Sequence, residues 1–231
     1  MNLVAFSNDH AAFGMRLWED SVGEAAAPVG DVFNRLPDSV RHARGFHFNV
    51  DLNRPDLQMA ADLRRAGGLV SMSPFEPADR RLPPESLYKL ISAADIFSLD
   101  ASEAESLVGP GSPRSLARRL VEAGESAARL IVLRMGEKGS WVVEGQTGQA
   151  ALIPAFPATV ADMAGAGDAY CGGFLAGWIE SHSIAIAGLH GAVAASFAAG
   201  QTGLPLITAD LRAEARRRLD ALEPLVETSS I

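Results

Sequence analysis

Apolar positions along the chain fall into short runs separated by segments of helical period, and the two alternate from about Arg44 to Gln149. Gly45-Phe46-His47-Phe48-Asn49-Val50 reads as a strand, and Pro55 to Arg65 as a helix that Gly67-Gly68 ends. Leu69-Val70-Ser71-Met72 predicts the next strand. A loop carrying Pro74, Pro77, Pro83 and Pro84 leads into a second helix. Pro84 suits its first turn, where the N–H that proline lacks would be unpaired anyway. Asp95-Ile96-Phe97-Ser98-Leu99 predicts a strand, followed by a short acidic helix and the breaker Gly109-Pro110-Gly111. Arg114 to Ala123 puts Leu116, Leu120 and Val121 on one helical stripe. Leu130-Ile131-Val132-Leu133 is a continuous apolar run, the pattern of a strand covered on both faces. Trp141-Val142-Val143 and Ala151-Leu152-Ile153 flank Gly145 to Gly148 and predict a hairpin. From Gly165 onward the pattern is almost entirely helical, whereas the first forty residues carry few strand signals.

This alternation implies an α/β fold, a mainly parallel sheet with helices on both faces. The 231 residues show no repeat, low-complexity tract or linker, so one domain is expected over 1–231. At 48% hydrophobic and 21% charged, the chain has the apolar content for a full core and no compositional mark of disorder. No run of about 18 uncharged apolar residues occurs, and the N-terminus lacks a basic segment followed by an apolar one. A cytoplasmic protein with no membrane partner is therefore expected. Twenty Lys and Arg against 28 Asp and Glu leave a net charge of −8, which argues against a nucleic-acid surface. Cys171 is the one cysteine, so disulfide scaffolds and thiolate zinc sites are excluded and a reducing compartment fits.

The densest candidate chemistry is Asp162-Met163-Ala164-Gly165-Ala166-Gly167-Asp168, followed by Cys171-Gly172-Gly173-Phe174. Small residues let the backbone approach an anion, and the free N–H groups of a helix start favour negative charge. The segment could cradle the charge of a transferring phosphoryl group, with Asp168 in the first helical turn. The plainer alternative is a glycine-rich turn with an acidic first-turn residue, and spacing alone does not separate the two. Gly136-Glu137-Lys138-Gly139-Ser140 has the composition of a P-loop without its Gly-Lys-Ser order. Gly165-Ala166-Gly167 does not extend to a dinucleotide fingerprint, because Tyr170 occupies the third glycine position.

Asp162 to Phe174 resembles the C-terminal signature of the ribokinase-like (PfkB) family of carbohydrate and nucleoside kinases, Asp-Thr-x-Gly-Ala-Gly-Asp running into a helix. Three further segments agree in order. Ala94 to Glu103 is similar to that family's strand and Asn-x-x-Glu motif, and Leu130 to Trp141 to its Thr-x-Gly-x-x-Gly nucleotide segment. Val193-Ala194-Ala195-Ser196-Phe197, with Gln201, Gly203, Leu204 and Pro205, resembles the helix and loop beside the adenine. The likeness covers about residues 44 to 220 and points to a divergent subgroup.

The resemblance implies a ribokinase-like three-layer sandwich and an ATP-dependent, Mg²⁺-assisted phosphotransferase acting on a sugar or nucleoside hydroxyl. It makes Asp168 the base and Gly165, Ala166 and Gly167 the anion hole. Glu103 would act on Mg²⁺ and phosphate through water, with Asp100 beside it, and Asp162 stands where many members place a K⁺ ligand. Arg134, Gly136, Gly139 and Ser196 would line the nucleotide site. Each assignment has a structural alternative. Glu103 and Glu105 are also what a helix dipole favours in a first turn. Gly136 and Gly139 suit an ordinary β-turn, Ser196 a core hydroxyl bonded to its own backbone, and Cys171 simple packing. All five histidines read as structural or surface residues.

Several positions depart from the family pattern. Met163 replaces a Thr, Asp100 an Asn and Arg134 a Thr, and Ser73-Pro74-Phe75 stands where many members have Asp-x-Asn. The resemblance also implies that the chain begins after the family's strand-rich substrate and lid region, with roughly a quarter of the usual length expected to be missing. The core and sheet edge so exposed would favour a homodimer. Loss of that region and the substitutions support a second reading, a catalytically impaired descendant that binds a nucleotide or a partner protein.

Overall fold

The computed structural model describes residues 42–231 apart from 53, 54, 56, 76, 80 and 126, so the expectations for the first forty residues lie outside it. Seven strands form one sheet in sequence order: β1 (Gly45–Val50), β2 (Leu69–Pro74), β3 (Ile96–Asp100), β4 (Leu130–Arg134), β5 (Ser140–Glu144), β6 (Gln149–Ile153) and β7 (Glu227–Ser230). The pairings β1–β2, β2–β3 and β3–β4 are parallel. The expected hairpin adds β5 and β6 antiparallel to β4, and β7 closes the order antiparallel to β6.

Parallel strands paired in sequence order need crossovers of one hand, which puts their helices on one face. That face is covered by α1 (Gln58–Arg65), α2 (Pro84–Ser92), α3 (Ala101–Val108) and α4 (Pro113–Ala123). Leu63, Leu87, Leu90, Leu107, Leu116 and Leu120 pack there against Phe46, Val70, Phe97 and Ile131. The opposite face must be covered by later segments, here α5 (Ala166–Ser181), α6 (Ile184–Ala199) and α7 (Ala209–Leu222). Phe174, Leu175, Trp178 and Leu189 meet Ile96, Leu130, Val132 and Ile153 on that side. Helices lie on both faces as expected, sorted by position in the chain.

Local chemistry accounts for most boundaries. Pro84 occupies the first turn of α2, and Ser112, Ser183 and Thr208 cap α4, α6 and α7 through their side-chain oxygens. Two boundaries differ from the sequence pattern. α1 begins at Gln58 rather than Pro55, and the helical tail is followed by β7, whose exposed Glu227–Ser230 carries no apolar alternation.

Candidate active site

The candidate residues gather at the C-terminal ends of the parallel strands, which is where open α/β sheets bind their ligands. β3 ends at Asp100 and β4 at Arg134, and the two are register partners. Asp100 also caps α3. Its Oδ1 accepts the Glu103 N–H at 2.8 Å and the Ser102 hydroxyl at 2.8 Å, while Glu103 Oε2 accepts the Asp100 N–H at 2.7 Å. This is a reciprocal capping box, so the first-turn role offered as an alternative for Glu103 is realised. The same Glu103 Oε2 pairs with Arg134 Nη2 at 3.2 Å, and Glu103 as a whole is only 5% exposed. Burial holds its carboxyl above the ordinary range, an effect the Asp100 N–H and Arg134 only partly offset.

Opposite this pair, Gly165 begins α5 with φ at 75°, a left-handed turn that glycine adopts without strain. The Ala166 N–H reaches the Met163 carbonyl at 3.2 Å and the Ala169 N–H that of Gly165 at 2.8 Å. The N–H groups of Gly167 and Asp168 have no backbone acceptor outside the helix among the described residues. They are the orphan donors of a helix start, available to an anion. Arg134 lies against this turn, since a Cβ built on Gly167 would fall 3.0 Å from Nη1. Burial works against the Arg134 charge, but Cys171, Glu103, Asp100 and Asp168 outweigh it, so the guanidinium holds its proton more tightly than usual.

Asp168 stands in the first turn of α5, and its Oδ1 accepts from Asn49 Nδ2 at 3.2 Å. Asn49 Oδ1 in turn accepts the Ser73 hydroxyl at 2.7 Å, from a serine only 1% exposed. Deeper under α5, His47 meets Ser71 at 3.0 Å and the Cys171 thiol reaches Ser98 Oγ at 3.4 Å. Burial pushes that thiol up, yet His47, Arg134 and Ser98 together bring it below its ordinary range. Asn49 and the contacts of this polar row were missed in the sequence, where Ser73 stood out only as a departure from the family pattern and His47 and Cys171 read as structural. Their signal was present as polar residues at alternate positions of parallel strands, which are ordinarily apolar throughout. Replacing Asn49 with Ala should destabilise the fold by about 1–3 kcal/mol in urea denaturation, because the Ser73 hydroxyl loses its buried acceptor. Adding Ser73→Ala should recover part of that loss, and strict additivity of the two would show the bond to be unimportant.

The other candidate residues lie apart from this cluster. Gly136 and Gly139 shape the 3-10 turn Gly136–Lys138 between β4 and β5, with φ of 60° and 86°. A Cβ on Gly139 would collide with the Ile153 carbonyl, so glycine is required there by packing as well. Ser196 donates to its own helix at the Val193 carbonyl, 2.7 Å, and accepts from Arg218 at 2.8 Å. Arg218 stacks on Phe197 and Phe156, so the core-hydroxyl alternative describes Ser196. Asp162 accepts the Ala164 N–H in the exposed loop before α5.

Among the described residues no group of three or more His, Cys, Asp or Glu could hold a metal ion. Glu103 is buried and its Oε2 is taken by the Asp100 N–H and Arg134, which leaves it poorly placed as a direct Mg²⁺ ligand. No helix among the described residues is long and apolar enough to cross a membrane.

The family model for pfkB family carbohydrate kinases matches residues 39–208. The cytidine kinase of Thermococcus kodakarensis is 28% identical over 143 residues, which is 62% of this chain and 50% of that protein. An uncharacterised sugar kinase of Escherichia coli (strain K12), YegV, is 30% identical over 133 residues, 56% of this chain and 40% of that protein. The chain thus spans half or less of the length of these curated relatives. Among solved structures, Arabidopsis thaliana ribokinase complexed with ribose and ATP superposes with a TM-score of 0.62 at 23% identity, over 80% of this chain and 59% of that one. Adenosine kinase from Sinorhizobium meliloti gives 0.61 at 24% identity, over 80% of this chain and 57% of that one. These likenesses show the ribokinase-like α/β fold.

Proposed function

Because the chain belongs to the pfkB family of carbohydrate kinases, we propose that it transfers the γ-phosphoryl group of ATP to a hydroxyl of a sugar or nucleoside. The observation that carries this reading is the start of α5. There Asp168 stands on the turn that leaves the Gly167 and Asp168 N–H groups unclaimed by backbone outside the helix. In a loose phosphoryl-transfer transition state, charge spreads over the three equatorial oxygens and in-line geometry matters most. Donors that are already oriented stabilise that charge without reorganising.

In this arrangement Asp168 accepts the proton of the acceptor hydroxyl. Asn49 engages Oδ1 and leaves Oδ2 for that proton. The turn from Gly165 to Gly167 is the anion hole, with Arg134 beneath it. Gly136 and Gly139 keep the β4–β5 turn tight enough to admit a nucleotide. The exposed Leu204, Leu206 and Ile207 offer apolar surface to its base. The family uses ATP with Mg²⁺, but the engagement of Asp100 and Glu103 gives no reason to route a step through either carboxylate as a metal ligand. The same engagement favours the second reading, a nucleotide-binding protein without turnover.

The test is calorimetric titration of the whole chain with a non-hydrolysable ATP analogue, with and without Mg²⁺, followed by a transfer assay on a panel of sugars and nucleosides. Micromolar to millimolar binding and phosphorylation of at least one acceptor are expected. Binding without transfer to any acceptor would leave the second reading, and absence of binding by the folded protein would end the transfer reading and leave of the second only the binding of a partner protein.

A further inference from the structure

Arg134 is the cation around which the acids of this site gather. Its guanidinium pairs with Glu103, touches the Cys171 sulfur at 3.5 Å and feels the charges of Asp100 and Asp168. Guanidinium carries five N–H donors, and its hydrogen bonds among the described residues use two nitrogens, Nη1 and Nη2, once each. The side chain is 15% exposed, so it is held from the protein side without being sealed off. Nη1 lies directly against Gly167, where any side chain would press on it, and the orphan N–H groups of the helix start are at that same residue and the next. A highly charged anion brought to this turn would face Asp100, Glu103 and Asp168. Only Arg134 among the charged groups of this cluster opposes that repulsion. A planar fork of donors also suits phosphoryl oxygens better than a point charge does.

We propose that Arg134 binds the terminal phosphoryl group of a nucleoside triphosphate at the Gly167 turn, and that Glu103 is the residue that positions Arg134. The proposal rests on the phosphotransferase reading and changes the part played by Glu103. The Glu103 carboxylate reaches the reaction through a guanidinium instead of through a metal ion. Its capping bond to the Asp100 N–H fixes Oε2, and the fixed Oε2 fixes Nη2.

The experiment measures the affinities of the whole chain for ADP and for a non-hydrolysable ATP analogue, at several Mg²⁺ concentrations. Wild type is compared with Arg134→Met, Arg134→Lys and Glu103→Gln. Arg134→Met should reduce the triphosphate-over-diphosphate preference at least tenfold while ADP affinity stays within about threefold, as expected for loss of a charge-assisted contact. Arg134→Lys should retain part of the preference, which keeps the test decisive if the Met variant does not fold. Glu103→Gln should lower the preference several-fold without moving the Mg²⁺ concentration of half-effect. An unchanged preference in both Arg134 variants overturns the proposal. So does a shifted Mg²⁺ midpoint in Glu103→Gln with the preference intact. If wild type binds neither nucleotide, the phosphotransferase reading fails first and takes the proposal with it.

Discussion

Asp168→Asn should reduce phosphoryl transfer by about 10²–10⁴-fold, the range that loss of a general base produces. The substitution is nearly isosteric, and the amide oxygen can still accept from Asn49 Nδ2, so the 3.2 Å contact and the first turn of α5 should survive. What disappears is the second carboxylate oxygen, the one proposed to take the acceptor's proton. In activation terms that loss is about 3–5.5 kcal/mol. Nucleotide affinity should stay within a few fold, because the Gly167 and Asp168 N–H groups belong to the backbone and are untouched. Steady-state transfer with the best acceptor, alongside calorimetric titration of the ATP analogue, measures both. Transfer retained within threefold would remove Asp168 from the chemistry. Loss of nucleotide affinity in step with rate would make it a binding residue.

The second large effect concerns the scaffold that carries Asp168. α5 and α6 pack through small residues, and a Cβ on Gly173 would fall 2.6 Å from the His190 carbonyl oxygen and 2.8 Å from the Ala194 Cβ. A Cβ on Gly177 would fall 3.0 Å from Ala187 and His190, and one on Gly191 2.9 Å from the Tyr170 ring. Replacing a helical glycine ordinarily gains some helix propensity, at most about 1 kcal/mol for Ala. Here that gain is outweighed, because the colliding atom belongs to backbone and cannot rotate away. Gly173→Val should therefore destabilise the protein by about 3 kcal/mol, at the upper end of overpacking costs. For a chain of this length that lowers Tm by about 6–12 °C. A thermal melt within about 2 °C of wild type would show that the two helices are not in close contact there.

Much of the scaffold could be read from pattern because each element carried its own punctuation. Pro84 marked the start of α2, Gly67-Gly68 the end of α1, and the apolar run Leu130–Leu133 the central strand. β7 escaped because Glu227–Ser230 is held to β6 by backbone pairing and buries no side chain, so no period is imposed on it. The site divides in the same way. Asp168, Glu103 and Arg134 were found one motif at a time, yet the ion pair joining the last two depends on the β3–β4 register, which no local pattern encodes. The capping box from Asp100 to Glu103 was open to view in their spacing and competed with a metal role for the same oxygens. Asn49 was passed over because a polar residue on a short strand looks like solvent exposure until a helix is known to cover it. Ser196 shows the converse, a hydroxyl that motif likeness drew toward the nucleotide while its bonds run to Val193 and Arg218.

The polar row beneath α5 bears on how the chain is made. Asn49 and Asp168 are 119 residues apart, so β1 leaves the ribosome long before the helix that covers it. Parallel strands cannot close on their neighbours by local turns, and half-built sheets of this kind expose aliphatic surface during synthesis. In this chain that waiting face presents His47, Asn49, Ser71, Ser73 and Ser98 among its apolar positions. Those hydroxyl and amide groups stay hydrated until α5 arrives, and they interrupt the unbroken hydrophobic stretches through which nascent chains adhere to one another. The residues that later align the site would thus first serve to keep the unfinished sheet from aggregating.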